Sequence, residues 1–314
     1  MKRFPQFKEK AFLSPMARIT DVAFRSICKT YGAGLTVTEL INAKGILQNP
    51  ESIPEICKRA PNEDFFSVQL FGDNPKDLAR AGELVSEHCD MIDINLGCPA
   101  YKICRVGAGS QLLAHPQKVR AIVEELDSTL SIPVSVKMRT GLNDKNITVH
   151  EVAKAAQDGG ACMVMVHGRT RDQMYTGTAD WDIISQIKKE LSIPVVGNGD
   201  ITSPENVKER LEESGVDYVA IGRAASGNPL LFQRINSYLD SGSYLPITTK
   251  ERLQVFEEYI KLSMKYQTSF LHQKIQAQHF TKGITGAAKL RLALNEARTS
   301  DELLRTVTSF IENE

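Results

Sequence analysis

Along the first 240 positions, short runs of apolar and β-branched residues alternate with longer stretches whose apolar positions follow a helical spacing. The short runs are AFLSP (11–15), LTVTE (35–39), FFSVQL (65–70), MIDIN (91–95), IPVSVKM (132–138), CMVMV (162–166), IPVVGN (193–198) and DYVAIG (217–222). Amphipathic stretches at 75–88, 116–130, 148–160 and 203–215 lie between them. The last of these has Ser203 as N-cap, Pro204 at the first helical position, Glu205 in the first turn and Gly215 as the stop. Runs that are apolar on both faces and separated by helices read as parallel strands of βαβ units. Eight such units in about 230 residues predict an α/β fold, a (β/α)8 TIM barrel. A doubly wound open sheet is the rival, and the absence of a G-x-G-x-x-G after the first strand weakens it.

The strand pattern stops at SGSYLP (241–246). Beyond it, 251–266, 270–280, 287–297 and 300–313 all read as helices, with Leu253, Phe256, Ile260 and Met264 at helical spacing. Thr299 and Glu302 fit a capping box. The expected organisation is a barrel over residues 1–240 followed by a small all-helical domain over 245–314.

Composition narrows the function classes. Apolar residues make up 42% and charged residues 24%, ordinary values for a globular protein, and no apolar run approaches the ~18 residues of a membrane span. No membrane partner is expected. The opening MKRFPQFKEK has no signal-peptide core, and the six cysteines form no C-x-x-C. Neither a disulfide framework nor a metal site is expected, and a reducing cytoplasm is. Lys plus Arg equals Asp plus Glu at 38 each, so affinity for nucleic acid must rest on local charge. Two stretches supply it. Residues 98–120 contain no acid but hold Lys102, Arg105, Lys118 and Arg120. Residues 259–295 also lack acids and hold Lys261, Lys265, Lys274, Lys282, Lys289 and Arg291, with His272 and His279.

In a barrel of this kind the chemistry collects where the strands end. Here the ends carry Met16, Glu39, Gln69, Asn95, Lys137 with Arg139, His167, Asn198 with Asp200, and Gly222 with Arg223. One polar strand end means little; a full rim of them reads as a site. GNGD (197–200) and IGRA (221–224) are glycine-bearing turns after the last two strands, a common place for phosphate. Lys137 and Arg139 share a strand face with Ser135, and a lysine ending a buried strand is costly unless it meets an anion. His167 is followed by Arg169 and Arg171. Cys98 stands just past the fourth strand in Asn-Leu-Gly-Cys-Pro; a lone cysteine is usually a small buried apolar group, but an acid-free glycine-hinged loop suits a working thiol.

These residues resemble the tRNA-dihydrouridine synthase family. The resemblance is carried in order by SPMARITD (14–21), VQLFG (68–72), DINLGCP (93–99), Lys102, GAGSQLL (107–113), VKMRTG (136–141), HGRTRDQMYTGTADW (167–181), GNGDI (197–201) and IGRAASGNP (221–229). It implies an FMN-binding barrel, a helical tRNA-binding domain, and NADPH- or NADH-driven reduction of specific tRNA uridines to 5,6-dihydrouridine. Hydride would pass from FMN N5 to uracil C6, and a proton from Cys98 to C5. It further implies that Pro15, Met16 and Ala17 line the flavin ring, that Gln69, Lys137 and His167 bind it, and that Asn198, Gly199, Asp200, Gly222 and Arg223 hold ribityl and phosphate. Asn95, Lys102, Arg139, Arg169 and Arg171 would face the substrate. The sequence departs from many relatives at Ser14, Arg18, Tyr101 and Cys104. A flavin barrel acting on a free pyrimidine and a non-redox RNA-binding protein are the rivals, and a monomer is the favoured state.

Overall fold

A computed structural model describes residues 2–284 and 286–313. Eight parallel strands form its centre: β1 (Ala11–Leu13), β2 (Thr36–Val37), β3 (Phe66–Phe71), β4 (Met91–Leu96), β5 (Val134–Arg139), β6 (Met163–His167), β7 (Val195–Asn198) and β8 (Tyr218–Ile221). Each pairs with the next in chain order from β2 to β8, and β8 pairs with β1. Two backbone hydrogen bonds close the ring between β1 and β2: Leu13 N–H to Leu35 O and Gly34 N–H to Ala11 O, both 2.9 Å. The expected TIM barrel is therefore observed, with all eight strands where the apolar runs place them. Ile41–Asn42 adds a short parallel segment beside β3, and a hairpin of Gly141–Asn143 and Asn146–Ile147 follows β5.

The strands are followed in turn by helices α1 (Val22–Thr30), α2 (Ala43–Gln48), α3 (Pro75–Val85), α4 (Pro116–Thr129), α5 (Val149–Asp158), α6 (Trp181–Glu190), α7 (Pro204–Ser214) and α8 (Leu230–Ser241). Their starts follow from capping chemistry. Asp21, Asn74, Asp180 and Ser203 each accept a hydrogen bond from a first-turn N–H, and α3, α4 and α7 open on proline. Gly215, at φ +70°, ends α7. The outward sheet face and the inner helix faces form one large core. The barrel lumen is a separate one, containing Phe12, Leu35, Met91, Met163 and Tyr218. Fully burying an aliphatic or aromatic side chain contributes about 1.5–3 kcal/mol.

The C-terminal helices are α9 (Thr249–Tyr266), α10 (Phe270–Phe280), α11 (Ala288–Glu296) and α12 (Ser300–Glu312). A complete capping box starts α9, between Thr248 and Glu251. At α12 Thr299 caps the Glu302 N–H, but the Glu302 carboxylate accepts from Arg298 N–H, so only half of the expected box forms.

These helices belong to the same apolar core as the barrel helices. Tyr259 lies edge-on to Phe24 at 6.5 Å, and Phe256 stacks on Phe280 at 5.0 Å. The Tyr259 hydroxyl donates to the buried Asp21 carboxylate at 2.7 Å, and Gln276 Nε2 donates to Ile19 O at 3.1 Å. Gly227, at φ +65°, leaves no room for a side chain: a Cβ there would lie 2.3 Å from the His279 carbonyl carbon. Arg252 bonds the carbonyls of Gly227, His279 and Lys282 across the same seam.

Candidate active site

The lumen changes character along its length. Phe4, Phe7, Phe12 and Tyr218 form an aromatic cluster around the N-terminal end. Toward the C-terminal ends, alternate residues are polar, and the register aligns Gln69 with Asp93 and Ser135, Asn95 with Lys137, and Arg139 with His167 and Asn198. Because strand side chains alternate faces, these groups share the inward side of the sheet.

A hydrogen-bond chain runs across this layer to the loop after β4. Ser135 Oγ and Gln69 Nε2 donate to the Asp93 carboxylate at 2.6 and 2.7 Å. Asn95 Nδ2 donates to Gln69 Oε1 at 2.9 Å, while Asn95 Oδ1 accepts from the N–H groups of Gly97 (3.2 Å) and Cys98 (2.8 Å). Asn95 thereby sets the backbone that carries the thiol. Burial raises the Asp93 pKa against these hydrogen bonds and the Lys137 charge. The DINLGCP motif assigns Asp93 no role of its own; its signal in the sequence is an acid at the inward parity of an otherwise apolar strand.

The Lys137 side chain is partly buried, and its amine makes no hydrogen bond or ion pair among the described residues. Burial and then Arg139 push its pKa down to about 8, while Asp93 and Cys98 oppose the fall. His167 is buried, and desolvation followed by the charges of Lys137, Arg139, Arg169 and Arg223 pushes it down to about 2. Its imidazole is neutral at any working pH, and its side chain also makes no hydrogen bond among the described residues.

The Cys98 thiol is half-buried, and burial raises its pKa, which keeps its proton on at neutral pH. Ser110 N–H bonds Cys98 O at 3.0 Å, and Gly109, at φ +60°, passes so close that a Cβ would lie 2.8 Å from that oxygen. Cys104 Sγ lies 3.6 Å from Cys98 O and 3.3 Å from Ser110 Oγ. Lys102 is exposed on the same loop.

The arginines have different duties. Arg139 donates from Nε to Gly97 O (3.1 Å) and from Nη1 to Thr170 O (2.8 Å) and Met174 O (2.9 Å), tying the loops after β4 and β6 together. Arg169 is buried, bonds the carbonyls of Thr176 and Gly177, and donates to Asp200 at 2.7 Å. Its Nη1 is buried without a partner. Arg171 pairs with Asp172 at 2.8 Å and is not among the cations acting on His167.

Gly199 (φ +132°) and Asp200 (φ +53°) turn the chain sharply after β7. Burial would raise the Asp200 pKa, but hydrogen bonds from Arg169 and the Ala179 N–H outweigh it and hold the carboxyl below its ordinary range. Asp200 also lies 3.5 Å from Arg223 Nη2. Asn198 Nδ2 donates to Ala220 O at 2.7 Å. The turn of Pro15, Met16 and Ala17 adjoins β8: a Cβ on Gly222 would meet Met16 Sδ only at 3.8 Å, so this backbone is open to close approach. Glu39 looks elsewhere. It accepts from the Arg18 N–H and pairs with His272 of α10, both at 2.9 Å. Tyr175 belongs to the HGRTRDQMYTGTADW motif, which by itself assigns it no role. Its ring sits under Arg223 (4.4 Å) and beside Arg139 (5.6 Å) and His167 (6.5 Å), at the end of the H-G-R-T-R loop.

Among the cations of the second acid-free stretch, Lys274 bonds three carbonyls around the end of α11, Arg291 bonds Thr281 O, and Lys261 pairs with Glu257. Lys265, Lys282 and Lys289 make no ion pair among the described residues. Among the described residues no cluster of His, Cys, Asp and Glu could hold a metal, and no helix is long and apolar enough to cross a membrane.

A closed parallel barrel that is apolar at one end and gathers polar groups at its strand termini defines the TIM-barrel class. Solved structures agree on the fold. A histamine dehydrogenase from Rhizobium sp. 4-9 superimposes with a TM-score of 0.60 at 13% identity, over 83% of this chain and 49% of its own. An old yellow enzyme homologue from Zymomonas mobilis gives 0.56 at 13%, over 80% and 94%. The family model "Dihydrouridine synthase (Dus)" matches residues 12–314. The chain is 39% identical to tRNA-dihydrouridine synthase B of Shewanella oneidensis over 81% of its length and 80% of the relative's. It is 36% identical to the enzyme of that name from Pseudomonas aeruginosa over 96% and 92%. The chain belongs to the dihydrouridine synthase family.

Proposed function

We propose that this oxidoreductase reduces specific uridines of tRNA to 5,6-dihydrouridine, with FMN as its redox group and NADPH or NADH as electron donor. The observation that carries the reading is the pair of unpartnered groups in the mouth, the Lys137 amine and the neutral His167 imidazole, near a protonated half-buried thiol. A partly buried amine without a partner is costly unless an electron-rich group meets it. A flavin ring fits Lys137, His167 and Gln69, with Pro15, Met16 and Ala17 lining it. Its ribityl and phosphate fit Asn198, Gly199, Asp200, Gly222 and Arg223, where the open backbone at Gly222 adjoins the Arg223 cation.

When bound, the flavin supplies the hydride, which no side chain can. Cys98 holds the proton destined for uracil C5, and its raised pKa keeps that proton available. Asn95 orients the thiol through the Cys98 N–H, and in this reading Asn95 and the remaining Arg139 nitrogen, Nη2, face the base. The uridine must leave its stack, at a cost of a few kcal/mol. Contacts to RNA phosphates by the acid-free stretches offset that cost, with residues 1–240 as the catalytic part and 245–314 as the tRNA-binding part. The setting for this work is the cytoplasm.

The test is to purify the protein, measure its flavin content, and follow NADPH oxidation with and without an unmodified tRNA transcript. Mass spectrometry of the RNA then reads dihydrouridine. A colourless protein that takes up no FMN refutes the cofactor. Reduction of free uracil or orotate in place of tRNA favours the small-molecule rival.

A further inference from the structure

We propose that Tyr101, flanked by Lys102 and Arg105, is a stacking platform for a nucleotide adjacent to the uridine that enters the mouth; this rests on the tRNA reading above. Tyr101 is 76% exposed, and its ring makes no hydrogen bond, ring pair or cation contact among the described residues. One exposed tyrosine needs no explanation. Three further facts do.

The ring is carried on a fastened turn. Residues Tyr101–Cys104 form a helical turn closed by the N–H groups of Ile103 and Cys104 on Ala100 O at 2.9 and 3.0 Å. Cys104 Sγ holds that turn to Cys98 O and Ser110. The ring also stands three residues from Cys98, the proton donor of the proposed reaction. Its surroundings are cationic as well. Lys102 and Arg105 are exposed and make no ion pair among the described residues. The acid beside the loop, Asp73, is already engaged by Lys118 (3.2 Å) and Lys44 (3.9 Å).

A flat ring beside unpaired cations suits a polyanion with flat faces. Turning a uridine out of its stack leaves the neighbouring base with one bare face. An aromatic ring held at the mouth covers that face, and stacking tolerates any base because each has a π-face. The cations hold the adjoining phosphates.

The experiment uses the full-length, flavin-bound protein and an unmodified tRNA transcript whose target uridine has been located with the wild type. Affinity is measured by filter binding for the wild type, Tyr101→Ala, Tyr101→Phe and Tyr101→Trp. Transcripts with an abasic site on either side of the target are compared with the intact one. Tyr101→Ala should weaken binding roughly 5- to 150-fold, and Phe and Trp should stay within about threefold of wild type. One of the two abasic transcripts should lose affinity for the wild type and lose little more with Tyr101→Ala.

The platform is refuted if Tyr101→Ala binds within twofold of wild type, or if Phe loses as much as Ala. Equal abasic losses in wild type and Tyr101→Ala also refute it. So does a change of oligomeric state in Tyr101→Ala by light scattering, which would make the ring a contact between copies. Should Tyr101→Ala lose its flavin spectrum, the Phe variant and the abasic transcripts on wild type still decide the matter. A wild type that leaves tRNA unreduced overturns the functional reading itself; an active wild type with an unaffected Ala variant overturns only the platform.

Discussion

Replacing Lys137 by methionine should make the flavin-free protein more stable and the flavin complex weaker. The amine is partly buried without a partner, and desolvation followed by Arg139 displaces its pKa from 10.5 to about 8, which corresponds to at most about 3 kcal/mol of unfavourable charge. The sign follows from proton binding. Between pH 8 and 10.5 the unfolded chain holds this proton more tightly than the folded one, so the destabilisation is complete below about pH 8 and fades as pH rises to 10.5. Methionine keeps the apolar stem and removes the charge. At pH 7 the flavin-free variant should therefore unfold at a higher urea midpoint than wild type, with a gain of up to about 3 kcal/mol that shrinks with rising pH. Flavin affinity, read by quenching of flavin fluorescence, should fall by at least tenfold. A variant equal to or less stable than wild type when free of flavin, at unchanged urea slope, would show that the amine is not held against its own desolvation.

Cys98→Ala should retain flavin and its reduction by NADPH, yet slow tRNA-driven reoxidation by roughly 10²–10⁴-fold, with Cys104→Ala much less affected; stopped-flow flavin absorbance reports both, and a slow Cys104 variant beside a normal Cys98 variant reverses the assignment. The hydrogen bond to Glu39 raises the His272 pKa above 6.5. Its stabilisation is therefore full below pH 6.5 and is lost as pH climbs through the raised value. The melting-temperature gap between wild type and His272→Gln should be wide at pH 6 and narrow at pH 9, and a pH-independent gap removes the ion pair from the account. Gly227→Ala combines a positive φ with a clash on the His279 backbone and should cost about 2 kcal/mol or more in urea unfolding; a neutral result would mean that the seam yields.

Much of this fold was legible in the chain because the barrel repeats a local signal. Each strand is an apolar run bounded by turn residues, and helices such as α7 carry their own start and stop. The end of the strand pattern and the helices after it were visible for the same reason. What escaped the sequence is set by partners far apart in it. Glu39 ends a strand, as expected of a site residue, yet its carboxylate is taken by His272, 233 positions away. Arg169 follows His167 in a motif that suggests a ligand contact, but most of its guanidinium is engaged by Thr176, Gly177 and Asp200. Asp93 and Tyr175 have ordinary neighbours in sequence and gain meaning only when the strands align and the loops after β6 and β8 meet. Thr248 with Glu251 satisfies the capping pattern as well as Thr299 with Glu302 does, and the structure completes the first. Spacing alone cannot say which carboxylate will reach back to its own cap.

The seam between α1 and α9 has a consequence for the time course of synthesis. Phe24 and its neighbours on α1 are made first, and the Tyr259 side of α9 that covers them is made more than 200 residues later. At the usual ~5–20 residues per second, that interval is on the order of ten to fifty seconds. The first strand waits as long for β8, its partner in the ring. Throughout that interval α1 carries an uncovered apolar stripe. The chain's vulnerability to aggregation is therefore greatest while it is still attached to the ribosome and falls only once α9 has emerged.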